Sequence, residues 1–302
     1  MKMPKYLQQL ESESINIIRE TVKSFQSPYM LYSVGKDSSV MVRLAQKAFY
    51  PAPVSFPLIH IDTGFKFPEM YEFRDSFCRE NNLNLKIFRN EDKIKDKANP
   101  KTLGMDKCCS FLKTGALLQA LKEYQVDAAF GGARRDEEKS RAKERVFSFR
   151  DKFGQWNPKN QRPEVWNLYN SHIDVGESVR VFPLSNWTEF DVWNYIKYEN
   201  IPIVPLYYAK KRKVLKVGDK LIPIHQYNHS LDSFKNVEEA EVMCRYRSLG
   251  CIPCSGAVES NAVTIDQIIQ ELEETRVSER NTRLIDFTSQ SSMEEKKKQG
   301  YF

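Results

Sequence analysis

Between an apolar run, Tyr29-Met30-Leu31-Tyr32, and a stretch with apolar residues at Val40, Met41, Leu44 and Ala45 lies the segment Ser33-Val34-Gly35-Lys36-Asp37-Ser38. That order predicts a strand, a tight loop and a helix start, the opening unit of an α/β sheet. A loop at such a junction aims backbone N–H groups and the positive end of a helix dipole at one point, where a phosphate can sit. Gly35 permits a tight turn and close backbone approach, Ser33 and Ser38 supply hydroxyls, and Lys36 adds a point charge. The segment is not a Walker A loop, because Met30 and Asp37 stand where that pattern needs glycine and Ser or Thr. The competing reading is an ordinary strand-to-helix turn that needs a glycine, so the rest of the chain has to decide.

The same alternation continues. Residues 8 to 24 carry apolar positions at helical spacing, Phe56 to Gly64 is an apolar run ending in a turn, and Phe67 to Asn81 returns to helical periodicity. Leu83 to Phe88 alternates as a strand, Lys107 to Tyr124 reads as a helix, and Val126 to Gly132 as a buried strand closing on two glycines. Arg180 to Leu184 predicts a further strand, and Thr188 with Asp191 three residues on predicts a capped helix start. The fold class is therefore α/β, a mostly parallel sheet flanked by helices, over residues 1–200. Beyond it, Ile201-Pro202-Ile203-Val204-Pro205 reads as a linker, Lys210-Lys211-Arg212-Lys213 as a basic run, and Gly218-Asp219 as a hairpin turn. Residues 201–302, with a helix from about Thr264 to Thr275 and a charged tail, have little apolar content and predict an irregular C-terminal extension that orders on the main domain or on a partner.

A chain of 302 residues with 28% charged and 41% hydrophobic residues is that of a globular protein. No apolar stretch has the length of a membrane span and the N-terminus lacks a secretory h-region, so a cytoplasmic protein with no membrane partner is expected. A net charge of +6 favours anionic small molecules or an acidic partner surface and does not call for nucleic acid. Six cysteines in a chain of this length are expected as reduced thiols, metal ligands or redox groups rather than as a disulfide framework.

Ligands of open parallel sheets bind beyond the carboxyl ends of the strands, which singles out three segments. The first is the 33–38 loop. In the second, Asp62-Thr63-Gly64, Asp62 is a candidate for Mg²⁺ or a ribose hydroxyl, against the alternative of a strand-ending turn. The third, from Gly131 to Arg145, packs Arg134, Arg135, Lys139, Arg141, Lys143 and Arg145 directly after a strand. Interleaved acids permit helical pairing such as Glu137 with Arg141, yet arginines at the mouth of a phosphate site suit planar oxyanions and the charge that develops in adenylyl transfer.

With these segments in view, the 33–38 loop resembles the pyrophosphate loop of N-type ATP pyrophosphatases. The string from Gly131 to Asp151, Val181 to Trp187, Gly256 to Asn261 and the terminal Lys297, Gln299, Gly300, Tyr301 and Phe302 resemble the small subunit of heterodimeric bacterial ATP sulfurylase, nearly end to end. The resemblance implies an adenine nucleotide alpha hydrolase-like fold and the conversion of ATP, as its Mg²⁺ complex, and sulfate to adenosine 5′-phosphosulfate and pyrophosphate. It also implies a GTPase large subunit, elongation-factor-like and in some cases fused to an adenylylsulfate kinase, whose GTP hydrolysis drives the reaction. The implied ATP-binding residues are Ser33, Gly35, Lys36, Asp37, Ser38 and Asp62. Arg134, Arg135, Arg141 and Arg145 are the implied catalytic set for the α-phosphate and sulfate.

Cys108-Cys109 and the C-x-x-C of Cys251 and Cys254 are not expected in such a subunit. The arrangement resembles assimilatory adenylylsulfate reductases, whose paired cysteines hold a [4Fe–4S] cluster, and four thiolates equally suit Zn²⁺. The alternative is a set of reduced thiols. A reductase-like reading of the whole chain is disfavoured because no cysteine follows Cys254. A non-catalytic nucleotide-sensing adaptor for a GTPase is the third reading, and it predicts ATP binding without adenylyl transfer. Cys78 and Cys244 read as packing residues, and the four histidines show no metal or triad spacing.

Overall fold

The computed structural model describes residues 2–95, 98–138, 141–218, 220–224, 237–274, 297 and 300. Helix α1 (Lys5–Ser24) precedes β1 (Pro28–Leu31), α2 (Lys36–Phe49), β2 (Leu58–Ile61), α3 (Pro68–Glu80) and β3 (Leu85–Phe88). Then come α4 (Glu91–Lys95), α5 (Pro100–Cys109), a π-helical turn (Ser110–Gly115), α6 (Ala116–Glu123), β4 (Ala128–Phe130), β5 (Phe147–Arg150), β6 (Ser178–Val181) and α7 (Glu189–Glu199). The first sheet has the order β3-β2-β1-β4-β6-β5, parallel throughout except for β5, which runs antiparallel to β6.

Alternation along the strands assigns the two faces. Met30, Leu58, Ala128 and Phe130 join the main core, whereas Ile59 and Ala129 join a smaller cluster with Leu117, Ala120 and Leu121 of α6, against which Tyr29 and Leu31 pack. Period-two side chains buried on both faces are what a parallel sheet between two helical layers requires. The capped start of α7 is as the sequence predicts: Thr188 Oγ1 accepts from the Asp191 N–H at 3.1 Å, and Asp191 Oδ2 accepts from the Thr188 N–H at 2.8 Å. The helix expected over Lys107–Tyr124 is instead α5, the π-turn and α6 in succession, and Gly104 at φ +75° interrupts α5 four residues before the buried Cys108.

The segment after residue 200 carries regular structure that its composition hid. Strands β7 (Lys210–Val217), β8 (Lys220–Pro223), β9 (Val237–Arg245) and β10 (Val258–Glu259) form a second, antiparallel sheet in the order β10-β9-β7-β8, followed by α8 (Ile265–Glu274). Gly218 takes φ +61° at the β7–β8 turn, and Asp219 lies outside the described residues, as do Thr275, Lys139, His225, His229, Gln299, Tyr301 and Phe302. The basic run forms the first half of β7; Lys213 stands opposite Glu241 of β9, Lys211 pairs with the same Glu241 at 2.8 Å, and further along β7 Lys216 stands opposite Glu238. The main core crosses residue 200 without a break: Leu206, Tyr207, Val214, Leu221 and Tyr246 lie in one cluster with Trp193 and Phe67. Among the described residues no helix is long and apolar enough to cross a membrane.

Candidate active site

The chain leaves β1 for β2 and β3 on one side and returns to β4, β6 and β5 on the other, so the order reverses between β1 and β4. The crevice beyond the carboxyl ends of two such strands is where ligands of this architecture bind. A cleft of about 220 Å³ opens there, lined by the 33–38 loop from β1, Gly131 to Ala133 from β4, Lys66, Lys113, Arg141 and Tyr207.

The loop is held by its own side chains. Ser38 Oγ donates to the Gly35 carbonyl at 2.9 Å and accepts from Ser33 Oγ at 3.2 Å. Val34 sits at φ +66°, a strained conformation for a β-branched residue and one that clusters at functional sites. At Gly132, the second of the paired glycines that close β4, a Cβ would stand 3.0 Å from Asp37 Cβ, so a side chain there would have to push back the start of α2. The Lys36 N–H, in the first turn of α2 and without an intrahelical acceptor, donates to the Tyr207 hydroxyl at 2.8 Å.

Several expected ligands are already engaged. Lys36 is buried, with Nζ 3.3 Å from the Arg247 carbonyl and 3.9 Å from Glu189, and Glu189 itself pairs with Arg247 at 2.7 Å. Asp37 lines the cleft and pairs with Arg134. Asp62 is 1% exposed and does not line the cleft. Its Oδ1 accepts from Tyr71 at 2.7 Å and from the Gly64 N–H at 2.9 Å, while Oδ2 accepts from Arg89 Nε at 2.8 Å. Burial would raise the Asp62 carboxyl, but those hydrogen bonds outweigh it and hold the group below the usual range. The expected Mg²⁺ or ribose role of Asp62 would require that network to open, whereas Asp37 and Glu137 are carboxylates that face the cleft.

The arginine string divides. Arg141 lines the cleft with its Nε 3.4 Å from Glu137, and Arg134 is buried behind it on Asp37. Arg135 and Arg145 line a second cavity of about 290 Å³ together with Glu164, Tyr169 and Asn186. There Arg135 donates to Asn186 Oδ1 at 2.5 Å. Sequence reasoning missed Lys66, Lys113 and Tyr207 on the main cleft. Lys66 had a signal, since it lies two residues after the Asp62-Thr63-Gly64 turn, but Tyr207 meets Lys36 across 171 residues and had none.

The two cysteine pairs approach one another. Cys108 lies in a small apolar cluster against which Phe65 packs, the Phe65 carbonyl accepts from the Ile252 N–H at 2.7 Å, and Cys251 Sγ is 3.1 Å from Thr63 Oγ1. Burial, with Cys251 and Cys109 beside it, pushes the Cys108 thiol up to about 12. Among the described residues no group of three or more His, Cys, Asp or Glu side chains is gathered to hold a metal ion, and the cluster or Zn²⁺ reading of Cys108, Cys109, Cys251 and Cys254 stands as an expectation for metal analysis. Cys78 and Cys244 are core residues, as expected. His60 is buried in β2 with its Nδ1–H donating to the Tyr32 carbonyl, and burial pulls its pKa down to about 3, so it stays neutral.

Comparison with known proteins adds an independent line. The family model described as "Phosphoadenosine phosphosulfate reductase domain" matches residues 27–257. Sulfate adenylyltransferase subunit 2 of Geotalea daltonii is 58% identical, and that of Bacteroides thetaiotaomicron 55%, each over 297 residues covering 98% of this chain and 98% of the relative. Among solved structures, the phosphoadenylyl-sulfate reductase of Candida auris in its phosphate complex aligns at 19% identity over 68% of this chain and 92% of that one, with a TM-score of 0.47.

Proposed function

The chain belongs to the phosphoadenosine phosphosulfate reductase domain family and, within it, to the sulfate adenylyltransferase subunit 2 group, and on that premise we propose how its cleft joins sulfate to the α-phosphorus of ATP. The enzyme is a nucleotidyltransferase that uses ATP. In the proposed reaction a sulfate oxygen attacks the α-phosphorus, the bond to the β-phosphate bridging oxygen breaks, and pyrophosphate leaves, giving adenosine 5′-phosphosulfate.

Sulfate is a weak nucleophile and both reactants are anions, so the site has to neutralise charge and align the two rather than supply a nucleophile. The observation that carries the reading is the convergence on one switch-point cleft of the strained 33–38 loop with Lys66, Lys113 and Arg141. The loop N–H groups and the start of α2 take the β- and γ-phosphates. Arg141 and the two lysines face the α-phosphate and sulfate, and Leu31, Ile59, Ile61 and Leu117 offer the adenine an apolar wall. Mg²⁺ would enter with the nucleotide, and Asp37 and Glu137, which line the cleft, would be the carboxylates to hold it and neutralise the phosphate charge. Arg134 orders the loop through Asp37, while Arg135 and Arg145 line the second cavity.

The name of the relatives implies a partner subunit. In this reading the partner is an elongation-factor-like GTPase, with or without a fused adenylylsulfate kinase, whose GTP hydrolysis drives an unfavourable equilibrium in cytoplasmic sulfate assimilation and cysteine biosynthesis. Sulfate-dependent exchange of labelled pyrophosphate into ATP, with the large subunit and GTP present, tests it. Exchange that requires sulfate supports the reading, and ATP binding with no exchange would replace it with the nucleotide-sensing adaptor.

A further inference from the structure

The C-terminal tail was singled out by its sequence, yet nothing in the proposed reaction uses it. Two of its residues are described, and both are seated inside the main unit. Lys297 is 0% exposed, its Nζ lies 2.7 Å from Glu144 Oε2, and it stands 5.1 Å from the centre of the Trp156 ring. Gly300, at φ +91°, packs on Leu118, where a Cβ would meet the leucine side chain at 2.9 Å. Leu118 follows Leu117, which lines the cleft. Lys297 thus meets Trp156 in the segment after β5, and Gly300 meets α6.

Glu144 is the acid inside the arginine string, between Arg141 and Arg145. Its Oε1 takes Arg150 of β5 at 2.7 Å and its Oε2 takes Lys297, so both oxygens are committed away from the cleft. The Glu144 N–H donates to the Arg141 carbonyl at 3.0 Å within the short turn Arg141–Lys143, which fixes the two residues relative to one another. A buried carboxylate that loses one of its cations is left uncompensated, and Arg141 is the cation at the other end of the same short turn.

We propose that Lys297 is a positioning residue: by occupying Glu144 it keeps Arg141 on the cleft wall and so sets the geometry of the anion site. This rests on the reading of the cleft as the adenylyl-transfer site. Lys297→Met would release Glu144 Oε2 to capture Arg141 and withdraw that guanidinium from sulfate.

The test is steady-state kinetics of the full chain with its large subunit, varying sulfate and ATP separately, for wild type, Lys297→Met and Lys297→Arg. A displacement of about 1 Å at a reacting group costs on the order of a hundredfold, and that loss in kcat/KM for sulfate is expected for Lys297→Met, with a raised sulfate KM and substantial recovery in Lys297→Arg. A merely structural role lowers the active fraction, and with it kcat, while leaving the sulfate KM where it was. An unchanged sulfate KM in Lys297→Met therefore overturns the proposal. Should that variant fail to fold, Lys297→Gln carries the test, because it removes the charge while keeping a polar side chain, and an unchanged sulfate KM there overturns the proposal equally. Wild-type protein that forms no adenosine 5′-phosphosulfate would overturn the underlying reading and this proposal with it. An active wild type beside an unimpaired Lys297→Met overturns the proposal alone.

Discussion

Replacing Tyr207 with phenylalanine tests the proposed phosphate role of the 33–38 loop, because it changes what holds the loop without nucleotide and leaves the proposed phosphate contacts in place. The ring is 1% exposed and meets Trp193 edge-on at 5.4 Å, so its packing survives the substitution and only the hydroxyl is lost. That hydroxyl accepts the Lys36 N–H at 2.8 Å. Leaving a buried donor unsatisfied costs about 1–3 kcal/mol. With about 2.1 cal/mol/K of unfolding entropy per residue, a chain of 302 residues has ~0.6 kcal/mol/K, so the empty variant should melt roughly 2–5 °C below wild type. When MgATP binds, a phosphate oxygen can take the vacant N–H, and the penalty should disappear from the complex. Recovering even 1 kcal/mol corresponds to about fivefold tighter nucleotide binding. Differential scanning calorimetry with and without saturating MgATP, together with titration calorimetry, reads both quantities. Equal melting deficits in the two states, or weaker MgATP binding by the variant, would refute the claim that the hydroxyl stands where a phosphate oxygen goes.

Gly35→Val should weaken MgATP binding by at least about tenfold, since its Cβ alone would meet Ser33 Oγ at 3.3 Å and the Tyr207 hydroxyl at 3.4 Å; titration calorimetry showing wild-type affinity would count against the loop as a phosphate seat. Asp62 titrates below its unfolded value, so the stability it contributes is fully present above about pH 4 and is lost as pH falls through its depressed pKa. Arg89→Met removes one of the bonds that depress it, and acid unfolding followed by circular dichroism should begin at higher pH than in wild type; coincident acid transitions would contradict this. Among the described residues no three metal-ligating side chains gather, and on that geometry anaerobically prepared protein should contain well under one equivalent of iron or zinc, with Cys109→Ser leaving that content unchanged. Stoichiometric metal that is lost in Cys109→Ser would reverse that conclusion.

Elements whose burial follows a simple period could be read from the sequence. The strands at Tyr29, Leu58 and Ala128 alternate between two apolar clusters, and Thr188 with Asp191 announces α7 by a reciprocal local bond. Strand β5 was not legible, because two of its four residues are Ser148 and Arg150, and both are buried only through Glu144 and its neighbours. The second sheet was obscured in the same way, since β9 presents Glu238, Glu239 and Glu241 opposite a basic strand and reads as polar surface. At the site, the loop and Gly131-Gly132 were visible as motifs, but which side chains face the cleft was not. Arg134 turns back to Asp37 and Asp62 is consumed by Tyr71 and Arg89, and such pairings depend on contacts far apart in the chain.

The central claim is adenylyl transfer to sulfate, and its most direct test runs the reaction backwards. The chain with its large subunit is incubated anaerobically with adenosine 5′-phosphosulfate, Mg²⁺, pyrophosphate and a thiol reductant, and the products are separated and identified. ATP and sulfate are the products this account predicts. AMP and sulfite would contradict it, and would mean that the paired cysteines, rather than the cleft arginine and lysines, carry the chemistry.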